Sequence, residues 1–147
     1  MASERFTRLI GKYSETLASG LVKVLHESER TDAYRRIPAT ELQHDLRELY
    51  QHLDEWLGSK TQADIQKRFS YLGSRRASQQ IPLEQFVWAL ILAKEHLWYF
   101  LQREAVNDSA MQLLNELEFV FSLEQFFDRA LYYVCVAYRA PSRDVAA

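Results

Sequence analysis

The chain of 147 residues contains little glycine and proline, four and three residues respectively. Tight turns rely on these two residue types, so a sheet protein built from many short strands is disfavoured. The polar runs between apolar segments are also short. The sequence therefore predicts an all-α fold, and its length predicts a single helical domain over residues 1–147.

Cysteine is nearly absent, because Cys135 is the only one. An intramolecular disulfide and a cysteine-rich metal site are thereby excluded, which favours a reducing compartment. The amino terminus has no apolar segment of the kind found in secretory signals. The longest uncharged apolar run, Phe86–Ala93, is far shorter than the roughly 20 residues that span a bilayer. We therefore expect a cytoplasmic protein with no membrane association.

Charge and motifs also exclude several classes of function. The formal net charge is −2, and basic residues are interspersed among acidic ones, so direct binding to nucleic acid is not expected. No HExxH, GxSxG or glycine-rich phosphate loop is present. His44, Glu48 and His52 share one side of a predicted helix, but that side lies opposite Leu42 and Leu46 and is typical of a solvated face. We expect no catalytic residues, no metal and no cofactor; an enzyme with a dispersed site is an alternative.

Apolar residues recur at spacings of three and four and predict a bundle of about five helices with a long C-terminal helix. The predicted spans are residues 4–28, Pro38–Gly58, Thr61–Ala77, Pro82–Ala105 and a fifth helix that ends at Tyr138. Asn107, Asp108 and Ser109 are the candidates for the N-cap of the fifth helix. Residues 140–147 are predicted to form a disordered tail.

His96 lies in the middle of the fourth predicted helix, within the almost entirely apolar stretch QFVWALILAKEHLWYFL. A globin-type protein that binds haem or another small ligand would use this histidine as the ligand. A globin, however, places its proximal histidine on a short helix and follows it with two further long helices. Here the helix is about six turns long and only one long helix follows. We therefore favour a packed histidine and keep the globin type as an alternative.

Lys94 and Glu124 each fall near the centre of an apolar stripe, on the fourth and fifth predicted helices respectively. Adjacent helices joined by a short link pack antiparallel, which brings the two positions close together. A buried charge is tolerated when it is paired, so we expect an ion pair that acts as a polar switch between the helices. If the pair is buried, Lys94→Met should cost roughly 3–5 kcal/mol.

The aromatic clusters of the same two helices form either a ligand pocket or an interface, and packing is the commoner role for such clusters. The candidates are Trp88, His96, Trp98, Tyr99, Phe127 and Tyr132. The fifth helix also has a second apolar side, formed by Phe119, Phe126 and Tyr133. Two apolar sides need two burial partners, so these three residues predict the contact face of a homodimer.

Three segments resemble the N-terminal sensor domain of the RsbRD (RsbT co-antagonist) family: AYRRIPATELQHDLRELYQHLDEWL at 33–57, RRASQQIPLEQFVWALILAKEHLWYFL at 75–101 and FFDRALYYVCVAY at 126–138. The combinations that carry the resemblance are Tyr34 with Ile37-Pro38, Arg76 with Gln80-Ile81-Pro82-Leu83, and Phe127-Asp128-Arg129. One departure is Gln80, which stands where the family is expected to have a glycine.

The resemblance implies a globin-related helical module that binds no haem and acts as a homodimer. It also implies a non-enzymatic signal-input role in a cytoplasmic stress pathway of the stressosome type. In this family the module normally precedes a STAS, kinase or DNA-binding segment, so a downstream regulator of one of these kinds is the expected partner. We expect the signal to change the packing of the fourth and fifth helices.

Overall fold

A computed structural model describes residues 4–104 and 110–139, and for residues 110–115 it describes the backbone alone. The described residues form eight helices and no strand, which confirms the all-α fold. The helices are α1 (Glu4–Lys12), α2 (Ser14–Glu27), a 3₁₀ helix (Glu29–Arg36), α3 (Ala39–Gln51), α4 (Leu53–Leu57), α5 (Gln62–Ser78), α6 (Leu83–Glu104) and α7 (Ala110–Arg139). No described helix is long and apolar enough to cross a membrane.

Two of the five predicted helices are each broken once. The first breaks at Tyr13, where φ is −102° and ψ is 20°, and the second breaks at His52, where φ is −115° and ψ is 21°. Neither residue is glycine or proline, and the apolar spacing continues through both, so the pattern of the sequence does not reveal the breaks. The predicted N-caps of the fifth helix, the end of the fourth helix at Ala105 and the tail at 140–147 lie outside the described residues.

The polar segment between the first and second predicted helices folds as the 3₁₀ helix and is tied to its neighbours. The Thr31 hydroxyl donates to the Leu25 carbonyl at 2.7 Å. The Gln85 side chain accepts from the Ala33 amide at 2.9 Å and donates to Asp32 at 2.6 Å. These bonds fasten the segment to α2 and α6.

Both ends of α5 have well-defined caps. Thr61 and Asp64 form a capping box at its start, with the Asp64 amide donating to the Thr61 hydroxyl at 3.2 Å. At its end the Ile81 amide donates to the Arg76 carbonyl and the Gln80 amide donates to the Ala77 carbonyl, both at 3.0 Å. This pair of bonds is the Schellman motif, and Gln80 holds its left-handed position with φ of 62°.

α7 packs mainly along α5 and makes a smaller contact with α6. The two helices approach closely at Gly73, where an added Cβ would lie 2.8 Å from the Ala137 Cβ and 3.0 Å from the backbone of Val134. We expected α6 to be the main neighbour of α7, because the two are consecutive in the sequence. The small surface of α5 at Gly73 allows the closer packing.

Candidate functional site

A cavity of about 380 Å³ lies among seven of the described helices. Each helix contributes apolar side chains to its wall, such as Leu21 of α2, Leu46 of α3, Phe69 of α5, Ala93 of α6 and Phe127 of α7. The volume falls within the range of about 300–1,000 Å³ that is typical of small-molecule sites. The fold therefore encloses apolar space large enough for a ligand.

Charged side chains line one side of the cavity, and because they are partly exposed they mark its opening to solvent. They are Glu48, His52, Glu55, Lys60 and Arg68, which we call the rim. The His52 ring contacts both glutamates, with Nδ1 at 2.7 Å from Glu55 Oε2 and Nε2 at 3.5 Å from Glu48 Oε2. The Lys60 ammonium lies 5.4 Å from the centre of the Trp56 ring.

Two buried tyrosines also line the cavity. Tyr50 is only 2% exposed. Burial raises the pKa of the Tyr50 phenol, so it stays protonated and able to donate. Burial raises the pKa of Tyr34 as well, although the neighbouring Arg76 guanidinium opposes that change.

Arg76 is the most deeply buried charge among the described residues, at 4% exposure. Its guanidinium donates to Asp45 at 3.0 Å, to Glu41 at 3.2 Å and to Gln79 at 2.9 Å. Hydrogen bonds from Arg75 are the main reason that the pKa of Glu41 is lowered to about 2. The sequence singled out Arg76 only through the family resemblance. Its position in the last turn of a weakly amphipathic helix gave no indication that the side chain is buried.

Lys94 and Glu124 meet, as their spacing predicts, with Lys94 Nζ at 2.9 Å from Glu124 Oε2. Asp128 lies near the same ammonium at 3.9 Å. The expectation of burial was wrong, because the two side chains are 29% and 49% exposed. α7 lies mainly along α5, which leaves this contact at the surface between α6 and α7. Whether the pair acts as a switch stays a prediction.

His96 does not line the cavity. Its ring lies against α2, where a Cβ on Gly20 would be 3.0 Å from the histidine Nε2. The Nδ1 atom is buried and has no hydrogen bond. Burial, helped by Arg103, lowers the pKa of His96 and favours the neutral ring. The globin-type alternative with His96 as the ligand therefore lacks support from the geometry, since the ring faces a helix rather than the enclosed space.

The candidate pocket aromatics are not brought together around one space. Of these residues only Phe127 lines the cavity. Trp98, Tyr99 and Tyr132 are exposed, and the half-buried Trp88 carries the Arg30 guanidinium 4.8 Å above its ring. A shared pocket is therefore not supported for these residues, because most of them lie on the outer sides of α6 and α7, and their alternative role in an interface stays a prediction.

Two residues of the predicted dimer face, Phe119 and Phe126, are buried within the single chain. Phe119 and Phe126 are 0% and 3% exposed within a single chain, where they pack against Phe6 of α1 and Phe69 of α5. The half-buried Tyr133 accepts a hydrogen bond from Gln62 at 2.6 Å. This second apolar side of the helix is buried by α1 and α5, so it needs no second chain.

A different set of apolar side chains is exposed on the same two helices. The set consists of Trp98 of α6 and Leu117, Phe121, Tyr132 and Val136 of α7, which we call the outward face. On a helical wheel the four α7 residues fall within about 100° of one another. The Lys94–Glu124 contact links α6 to α7 within this face. In an antiparallel pair of helices, Trp98, which comes after Lys94, and Phe121, which comes before Glu124, lie on the same side of that contact.

Metal binding requires several His, Cys, Asp or Glu side chains to lie close together. Across the described ranges, no three His, Cys, Asp or Glu side chains are grouped so that they could hold a metal ion. His52 and Glu48 of the trio considered from the sequence are instead engaged with each other on the rim. The arrangement as a whole can enclose a small apolar molecule and can contact another protein through the outward face.

Comparison with known families gives one finding. The model of the family described as RsbT co-antagonist protein rsbRD N-terminal domain matches residues 15–147, nearly the whole chain. No curated protein and no solved structure gives a significant match.

Proposed function

The chain belongs to the RsbT co-antagonist protein rsbRD N-terminal domain family, and from this membership we propose that it is a non-enzymatic signal-input domain that acts as a homodimer. Its pathway is a cytoplasmic response to stress or to another environmental signal. Its downstream partner is a regulator with a STAS, kinase or DNA-binding output.

The outward face is the observation that carries the homodimer. Phe121 is 64% exposed, and three other apolar residues of α7 lie on the same side of that helix. Large exposed apolar groups gathered in one patch are typical of interaction sites, because their exposure to water is unfavourable. A lone exposed aromatic residue would need no such explanation.

The charges at the centre of the outward face favour a second copy of the chain as the occupant. A twofold dimer brings the same patch of both chains together, so the patch must be complementary to itself. Lys94 provides a positive charge, and Glu124 and Asp128 provide two negative charges within about one helical turn. In a twofold arrangement, Lys94 of each chain can face the carboxylates of the other. A signal that shifts α6 against α7 would then change the dimer contact.

Replacement of Phe121 by glutamate tests this proposal. F121E adds a charge to the patch, and we expect it to convert a dimer into a monomer in size-exclusion chromatography with light scattering. The matched control is Y71E, because Tyr71 of α5 is equally exposed, at 62%, but lies off the outward face. Y71E should remain dimeric. Circular dichroism should show unchanged helicity in both variants. The same oligomeric state in F121E and Y71E would contradict the proposed face.

A further inference from the structure

The cavity described above suits an apolar molecule, because apolar side chains predominate in its wall. Seven helices contribute to this wall, from Leu21 in the middle of α2 to Leu131 of α7. Charged groups are confined to the rim and to Arg76, whose charge is matched by Asp45 and Glu41. A ligand that fits this distribution has an aliphatic body and one polar end.

The rim favours a negative end. His52 lies between the two rim carboxylates, with its hydrogen-bond contact at 2.7 Å to Glu55 and a longer contact of 3.5 Å to Glu48. Arg68 is half-buried, and no carboxylate in the described ranges lies within ion-pair distance of its guanidinium. A half-buried guanidinium without an anion retains unused donors whose geometry matches a carboxylate.

We propose that the cavity binds a linear aliphatic carboxylate, with its head group at Arg68 and its chain between α3, α5, α6 and α7. A neutral alcohol of equal length lacks the negative charge that would pair with the Arg68 guanidinium. An aliphatic ammonium ion would meet Arg68 and Lys60 with the same sign of charge. Binding as such does not depend on the homodimer; only its role as the sensed signal rests on the proposed function.

Titration calorimetry with three amphiphiles of equal chain length tests the head group. The probes are dodecanoate, 1-dodecanol and dodecyltrimethylammonium, each added to the purified full chain. We expect dodecanoate to bind with one molecule per chain and about tenfold or more tighter than the other two. Equal affinity for all three, or no binding of dodecanoate at millimolar concentration, would overturn the proposal.

Two substitutions test the place of binding, each with a matched control. R68Q should weaken dodecanoate binding about tenfold and leave dodecanol binding unchanged, whereas K67Q, at the neighbouring exposed lysine, should change neither. A93L fills the cavity from α6 and should abolish binding, whereas A63L on the exposed side of α5 should not. Equal dodecanoate affinity in R68Q and K67Q would refute the role of Arg68.

Tryptophan fluorescence tests where the aliphatic chain of the ligand lies, and it does not depend on the stability of the A93L variant. Trp56 lines the cavity, whereas Trp98 lies on the outward face. In a W88F/W98F variant, which retains only Trp56, 12-bromododecanoate should quench the emission with the same affinity as in calorimetry. In a W56F/W88F variant it should not quench Trp98. The reverse pattern would place the carboxylate at the outward face and overturn the cavity site, while the test of the homodimer by F121E would be unaffected.

Discussion

Gln80 is the residue with the most unusual backbone, as the only described residue other than glycine with a positive φ, of 62°. It holds the left-handed position of the Schellman motif that ends α5, where an L side chain is unfavourable by roughly 1–2 kcal/mol. This geometry gives a physical reason for the glycine that the resemblance led us to expect at position 80.

Q80G should therefore stabilise the protein by about 0.5–1 kcal/mol, since the relief of strain exceeds the added flexibility of the unfolded chain. The matched control is S74G, because Ser74 is exposed within α5 and does not have a positive φ. That variant should be destabilised by a similar amount. Urea denaturation followed by circular dichroism measures both. A loss of stability in Q80G would show that the left-handed backbone is not strained.

In the monomer expected for F121E, the Lys94–Glu124 pair should contribute little to stability, because both side chains are partly exposed within a single chain, at 29% and 49%. A double-mutant cycle with Lys94→Met and Glu124→Leu should give a coupling of about 0.2–1 kcal/mol rather than the roughly 3–5 kcal/mol of a buried pair. Asp128, 3.9 Å from the same ammonium, reduces the coupling further by offering a second partner. A coupling above about 2 kcal/mol would mean that the pair is buried, as it would be at a dimer contact.

At the scale of helices, the junction of α3 with α5 depends on ionised Glu41. Hydrogen bonds from Arg75 of α5 lower the pKa of this carboxyl from 4.5 to about 2. A lowered pKa in the folded state means that the ionised group stabilises the fold above its unfolded pKa. That contribution is lost as the pH falls from about 4.5 through about 2.

E41Q should accordingly destabilise the protein most above pH 4.5, and the difference from the wild type should shrink as the pH falls towards 2. E95Q is the control, because Glu95 of α6 is exposed and has no ion-pair partner among the described residues. It should cause a smaller loss at every pH. Urea denaturation of the three proteins at several pH values makes the comparison, and a pH-independent effect of E41Q would refute the linkage.

The contact between α5 and α7 requires the absence of a side chain at position 73. G73A would place a Cβ 3.0 Å from the backbone of Val134, which cannot move as a flexible side chain would. We expect a loss of about 1–3 kcal/mol even though alanine favours helices by about 1 kcal/mol. G11A in α1 is the control, since the nearest atom would be 3.9 Å away. That variant should be as stable as the wild type or more so, and equal gains in both would contradict the close contact.

The apolar periodicity predicts the helices well, but it does not predict which side of α7 is buried. Apolar residues occur on nearly every side of this helix, so Phe126 and Phe121 are equivalent in the sequence. Their fates differ because the close approach at Gly73 turns the Phe126 side towards α5 and leaves Phe121 exposed. Such an orientation depends on tertiary contacts that the periodicity of one helix does not contain.

At the scale of the whole molecule, the Lys94–Glu124 contact could be predicted because it depends only on two stripes and a short link. The cavity could not be predicted, because its wall, which includes Leu21 and Phe127, forms only after seven helices have packed. The burial of Arg76 was missed for the same reason, since it depends on carboxylates of α3 that are more than thirty positions away in the sequence. Contacts between distant segments decide the site, while local spacing decides the helices.

The homodimer is the central claim about the whole molecule, and it follows from the exposure of the outward face. Sedimentation equilibrium of the wild-type chain across micromolar concentrations tests it most directly. We expect a mass twice that of the 17.3 kDa chain, with reversible dissociation only on dilution. A mass of 17.3 kDa throughout this range would contradict the claim, because the apolar face would then remain in water without a partner.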